Sequence, residues 1–146
     1  MWGRGFLIIL FLACASFSSA QTSSKYTLEQ LERFKQGSFV YKNGDFKGGK
    51  IKRTKKWQYE QYAGLLIKFK IDWISTFEYH LTFRQVSDPT GGCLMGKVIK
   101  FKLLEYNEEF NTYTVVMQQE NNFKIVEIER LEIEEKKEGR IFSFMK

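Results

Sequence analysis

From Gly37 onward the chain alternates apolar and polar residues with a period of two, the spacing that puts successive side chains on opposite faces of a β-strand. Phe39 and Tyr41 alternate with Ser38, Val40 and Lys42, and Asn43-Gly44-Asp45 supplies a turn. Ile51 lies between Lys50 and Lys52, and Trp57 and Tyr59 alternate with Lys56, Gln58 and Glu60. That spacing places the two rings on the apolar face. Leu65, Ile67, Phe69, Ile71 and Trp73 share one parity against Lys68, Lys70 and Asp72. Phe77 to Arg84 alternates without a break, and Ile99, Phe101 and Leu103 alternate with Lys100 and Lys102. Tyr113, Val115 and Met117 precede an Asn121-Asn122 turn, after which Phe123, Ile125 and the stretch from Val126 to Ile133 predict a last long strand. Ser87 to Gly92 reads as a loop holding the single proline, Pro89.

One segment breaks this period. Thr27 followed by Gln30 fits a capping box, and Leu28, Leu31 and Phe34 then share a helical face until Gly37 stops it. The expected element is a short helix lying on the sheet as a lid or plug.

About seven to nine strands result, joined by links too short for parallel crossovers. The predicted fold is mainly β: an antiparallel up-and-down sheet, curled or closed into a small lipocalin- or avidin-like barrel with one short N-terminal helix. The likeness is architectural, because the Gly-x-Trp signature of true lipocalins is missing from the first strand.

The organisation predicted is residues 1–20 as a signal peptide, 21–36 as a polar leader and short helix, and 37–146 as one β domain. Arg4 gives the basic start, Phe6 to Ala13 an apolar run, and Ser18-Ser19-Ala20 the small residues before a cut. That run is shorter than the roughly 20 residues of a membrane-spanning helix. The expected location is periplasmic or secreted, with cleavage after Ala20. The alternative is a lipoprotein anchored at Cys14, although Leu12 sits one place late for a good lipobox. Removal of the leader leaves Cys93 as the sole cysteine, so the fold must stand on apolar packing rather than a disulfide.

Candidate chemistry is sparse in a chain with a net charge of +6. His80 is the only histidine and lacks the companion ligands of a metal site. Cys93 has no base assigned to it, no carboxylate pair is set apart by its surroundings, and no phosphate loop occurs. No cofactor, metal site or catalytic residue is therefore expected. The basic cluster Lys50, Lys52, Arg53, Lys55 and Lys56, followed by Trp57 and Tyr59, is the most suggestive surface. Such a patch suits nucleic acid, anionic lipid or acidic glycan, and the leader argues against nucleic acid. The bland alternative is a lysine-rich strand that discourages aggregation. Within the curled sheet, Phe69, Trp73, Tyr79, Phe83 and Phe101 would line a cavity for a small apolar ligand, with Phe77 beside them, or would simply fill it.

Several segments in order carry a family resemblance: Phe34 to Tyr41, Ile51-Lys52-Arg53-Thr54, Ile71-Asp72-Trp73 leading into Tyr79 to Phe83, Met95 to Ile99, and Tyr113-Thr114-Val115. With Ala20-Gln21 at the cut, the chain resembles a group of short exported proteins of flavobacteria and other Bacteroidota, a group of uncharacterised function. The resemblance implies a compartment and a shape. Some members carry a topoisomerase label, which this short chain does not support, having no cleavage-domain motif. Relatives often have a cysteine where this chain has Phe77 and another near Leu31-Glu32-Arg33. Packing of Leu31 against Phe77 is the expected substitute for a bond between them. The functional expectation is a monomeric, exported, non-enzymatic binding module, holding a small apolar ligand or meeting an envelope protein. Two other classes stand beside it: an envelope interaction protein pairing through a strand edge, and an enzyme of unnamed chemistry.

Overall fold

The computed structural model of the chain describes residues 26–132. The expected signal peptide with Cys14 and Ala20, the charged run 134–138 and the short strand expected at 141–144 lie outside the described residues. Helix α1 (Leu28–Lys35) is followed by strands β1 (Gly37–Tyr41), β2 (Lys50–Arg53), β3 (Trp57–Tyr62), β4 (Leu65–Trp73), β5 (Glu78–Val86), β6 (Val98–Asn107), β7 (Thr112–Gln119) and β8 (Asn122–Leu131). Each strand pairs antiparallel with the next, and β8 returns to pair with β1 from Ser38↔Leu131 to Tyr41↔Ile128. The eight strands therefore close into a barrel, within the predicted strand count and of the predicted up-and-down order. Local chemistry drives the order. Tyr62 pairs with Leu65 across Ala63 and Gly64, whose φ angles of 49° and 80° are those of a two-residue hairpin turn. Register shifts at Lys68/Phe69 and Leu103/Glu105 add the bends a closed sheet needs. The expected loop after Ser87 contains a 3₁₀ helix, Pro89–Leu94, whose N-cap Asp88 accepts from the Thr90 amide.

Helix α1 carries the predicted capping box: the Thr27 amide donates to Gln30 Oε1 and the Gln30 amide to Thr27 Oγ1. Leu31 and Phe34 are buried against the barrel, whereas Leu28, expected on the same face, is 75% exposed. One turn before Leu31, it projects past the barrel rim. The helix C-terminus leaves carbonyls without intrahelical donors. Arginines from the barrel fill that need: Arg53 Nη1 donates to Phe34 O at 2.8 Å, and Arg130 Nη1 donates to Arg33 O and Gln36 O. Gly37 takes a φ of 133°, a backbone angle that L side chains rarely adopt, and a Cβ there would also displace the Arg130 guanidinium. The segment before the helix also packs on the start of the fifth strand's hairpin, the Tyr26 and Phe77 rings meeting at 5.6 Å.

The core runs through the barrel interior. Phe39, Ile51, Phe69, Ile71, Tyr79, Leu81, Phe101, Tyr113, Val115 and Ile128 are buried with Leu31 and Phe34. Two expectations about facing are corrected. Arg53, grouped with the basic surface, is 2% exposed and points inward, because it shares the parity of Ile51 on β2. On β3 the buried residues are Gln58 and Glu60, not Trp57 and Tyr59. Pairing of Arg53 with Gln58 and of Ile51 with Glu60 across the hairpin forces those polar residues onto the inner face.

Candidate functional site

The five rings expected to line a ligand cavity are brought together. Phe69 and Phe83 meet at 4.5 Å, Trp73 and Tyr79 at 4.9 Å, and Tyr79 stacks on Phe101 at 5.0 Å. Phe34 from the helix adds its edge to Trp73 and Tyr79. Phe34, Phe39, Tyr79, Leu81 and Val115 expose 0% of their surface. A water-sized void against any of them would leave accessible area, so these side chains are packed without one.

Threaded through this core is a polar chain that period-two reasoning missed. The Arg53 guanidinium lies 4.8 Å from each of the Phe34, Phe39 and Tyr79 ring centres. Its Nε donates to Gln58 Oε1 at 2.7 Å and its Nη2 to Tyr79 Oη at 2.9 Å. Gln58 passes the chain on, its Nε2 donating to Glu60 Oε1 at 2.6 Å. Tyr41 Oη donates to the same oxygen at 2.9 Å. A planar guanidinium suits the position because it stacks on rings while forking toward acceptors, which a lysine ammonium cannot do.

Glu60 is the end of that chain and its least settled member. Both donors converge on Oε1, and Oε2 takes no hydrogen bond among the described residues. Burial raises the Glu60 pKa above the ordinary carboxylate value, against the lowering pull of the Gln58 and Tyr41 hydrogen bonds and the Arg53 charge. Tyr41 is raised well above its usual value by burial and by Glu60, and burial pushes Tyr79 to about 12 against the lowering effect of Arg53.

Position along the barrel matters here. Glu60 sits toward the end opposite α1, two residues before the β3–β4 turn. The four most exposed core residues belong to the same half, Glu60 and Ile99 at 8% and Phe83 and Met117 at 6%, against 5% for Leu31 and Leu103 at the helix end. Around that mouth Phe46, Ile67, Val86 and Leu94 are only partly buried, and Phe46 packs on Tyr41 and Tyr62 at 5.6 and 5.7 Å. The mouth is thus apolar, with one buried carboxyl reaching it.

The other candidates separate. His80 faces outward on β5, paired with Asp72 and Lys100, while Cys93 is exposed on the 3₁₀ helix. Among the described residues no group of three or more His, Cys, Asp or Glu is placed to hold a metal ion, and no helix is long and apolar enough to cross a membrane. A groove of about 810 Å³ on the outer wall is lined by Glu105, Glu109, Glu127, Glu129, Thr112 and Arg130 among others. Lys50, Lys52, Lys55 and Lys56 stand on the outside of β2 and its turn, with Trp57 and Tyr59 half-buried next to them.

Fold and site together define a small lipocalin-like closed barrel with a helix-plugged end and a polar chain in its interior. Compared with family models, curated proteins and solved structures, the chain matches none.

Proposed function

We propose that this chain is an exported binding module that takes a small, largely apolar molecule at the barrel end opposite the helix, with Glu60 as the polar anchor. The observation that carries the reading is Glu60 itself: a largely buried carboxyl whose two donors both go to Oε1, leaving Oε2 without a donor among the described residues and not sealed from solvent, at a mouth ringed by partly buried apolar side chains. A carboxylate oxygen left open at the end of an apolar interior is a ready acceptor for a ligand donor, and barrel mouths are recurrent sites for small ligands. An apolar molecule bearing one amine or hydroxyl donor completes both requirements. The signal-peptide pattern read in residues 1–20 of the sequence and the resemblance to short exported Bacteroidota proteins support the compartment in the same reading. Pairing through a strand edge finds less support, since β1 and β8 close on each other.

Native mass spectrometry of the protein isolated from its own envelope fraction tests this. The expected spectrum shows a stoichiometric small-molecule adduct, lost when Val86→Trp fills the mouth and weakened in Glu60→Gln. A bare protein mass, or an adduct that survives Val86→Trp undiminished, overturns the reading.

A further inference from the structure

The charges on the outer wall are unevenly matched. On the wall formed by β8, β1 and the loop after β1, two of the three lysines are neutralised: Lys42 pairs with Glu129 at 2.5 Å, and Lys124 pairs with Asp45, while Lys47 has no carboxylate within salt-bridge distance among the described residues. On the wall formed by β2, β3 and β4, the outward positions hold Lys50, Lys52, Lys68 and Lys70, and the β2–β3 turn adds Lys55 and Lys56. The single acid facing out among them is Asp72, and it is engaged by Lys70 at 2.7 Å. Lys50, Lys52, Lys55 and Lys56 have no carboxylate within salt-bridge distance among the described residues. Lys50 and Lys52 stand about 7 Å apart along one strand, close enough to repel, which costs stability and creates a positive potential over this wall.

From this wall we infer a docking surface for a linear acidic polysaccharide, such as a polymer of uronates. Three features select that occupant. Charge complementarity calls for a polyanion. A bilayer is disfavoured because the strongly exposed large apolar side chains, Leu28, Ile74, Phe110, Phe123 and Ile125, lie on none of β2, β3 and β4, and the apolar side chains that face out there, Trp57, Tyr59 and Leu66, are only partly exposed. Single-stranded nucleic acid needs open ring faces on which to stack bases, whereas the Lys68 ammonium already lies over Trp57 at 4.6 Å and over Tyr59 at 5.7 Å. A sugar polymer needs only the ammonium row and the ring edges. This inference stands apart from the site at the barrel mouth, which lies inside the barrel rather than on its wall.

The test is titration of the purified protein with alginate at low and moderate salt. Binding is expected at low salt and weaker at moderate salt. The variant Lys52→Gln, Lys55→Gln, Lys56→Gln is expected to lose about tenfold in affinity. A control, Leu28→Glu, Phe123→Glu, Ile125→Glu, lowers the net charge by the same three units at residues 75%, 65% and 62% exposed. It is expected to bind like the parent. Absence of alginate binding overturns the inference, as does an equal loss in both variants, which would mean that net charge alone is sensed. Tighter binding to a single-stranded oligonucleotide or to phosphatidylglycerol vesicles overturns it in favour of another class of partner.

Discussion

Arg53 shows how a guanidinium tolerates the interior of a small barrel. Three ring faces and three acceptors replace its water, so its charge is spread over groups that are themselves buried. Glu60 is less completely served, and its raised pKa has a definite pH consequence. The folded state holds the Glu60 proton to higher pH than the unfolded chain does. The stability this provides is full below the ordinary value of 4.5 and is lost as pH rises through the raised native value. Urea midpoints measured from pH 4.5 upward are therefore expected to fall more steeply for the parent than for Glu60→Gln. Parallel profiles would show that Glu60 is not the group responsible. Arg53 was legible in the sequence, because it shares the parity of Ile51. Its five-residue basic context points the other way, and composition outweighed position. Gln58 and Glu60 were not legible, since Trp57 and Tyr59 have the larger apolar surface and claim the inner face on any hydrophobicity scale.

At the level of elements, α1 depends on the barrel as much as the barrel depends on it. Eight residues are too few for a helix to persist alone in water. The helix is held by its capping box, by Leu31 and Phe34, and by the arginine donors at its C-terminal carbonyls. Phe34 is the main contact, fully buried and touching the Trp73, Tyr79 and Tyr113 rings. Phe34→Ala is expected to cost about 3–5 kcal/mol in denaturant unfolding, within a single cooperative transition. A loss under about 1 kcal/mol would mean that the helix rests on the barrel without closing it. The capping box and Gly37 were readable because both depend on local backbone chemistry. The exposure of Leu28 was not, because it depends on where the barrel rim ends.

For the whole molecule, closure is the property on which the rest depends. A sheet of this size with free edges would present unpaired backbone groups to other chains, and the β1–β8 seam removes them. The seam joins residues about ninety positions apart, and the Lys42 amide donates across it to Glu127 O at 2.8 Å. Hydrogen exchange is expected to protect the amides facing across β1 and β8 as well as those between β6 and β7. Exchange of the seam amides at the rate of exposed backbone would mean an open sheet. Closure also divides the interior. The helix end is filled by rings, the opposite end keeps residual exposure around Glu60, and the basic wall lies outside both.

By itself the sequence determined what neighbouring residues can settle: period-two strands, short antiparallel links, a capped helix and a mainly β barrel-like fold. These follow from side-chain alternation and turn chemistry, which act over a few residues. Tertiary structure alone decided that the barrel closes, that the rings pack against one another, and that Gln58 and Glu60 face inward. Each of those depends on hairpin register or on contacts between distant strands. A one-residue change of register turns every side chain of a strand to the other face, so local pattern cannot fix what the partner strand decides.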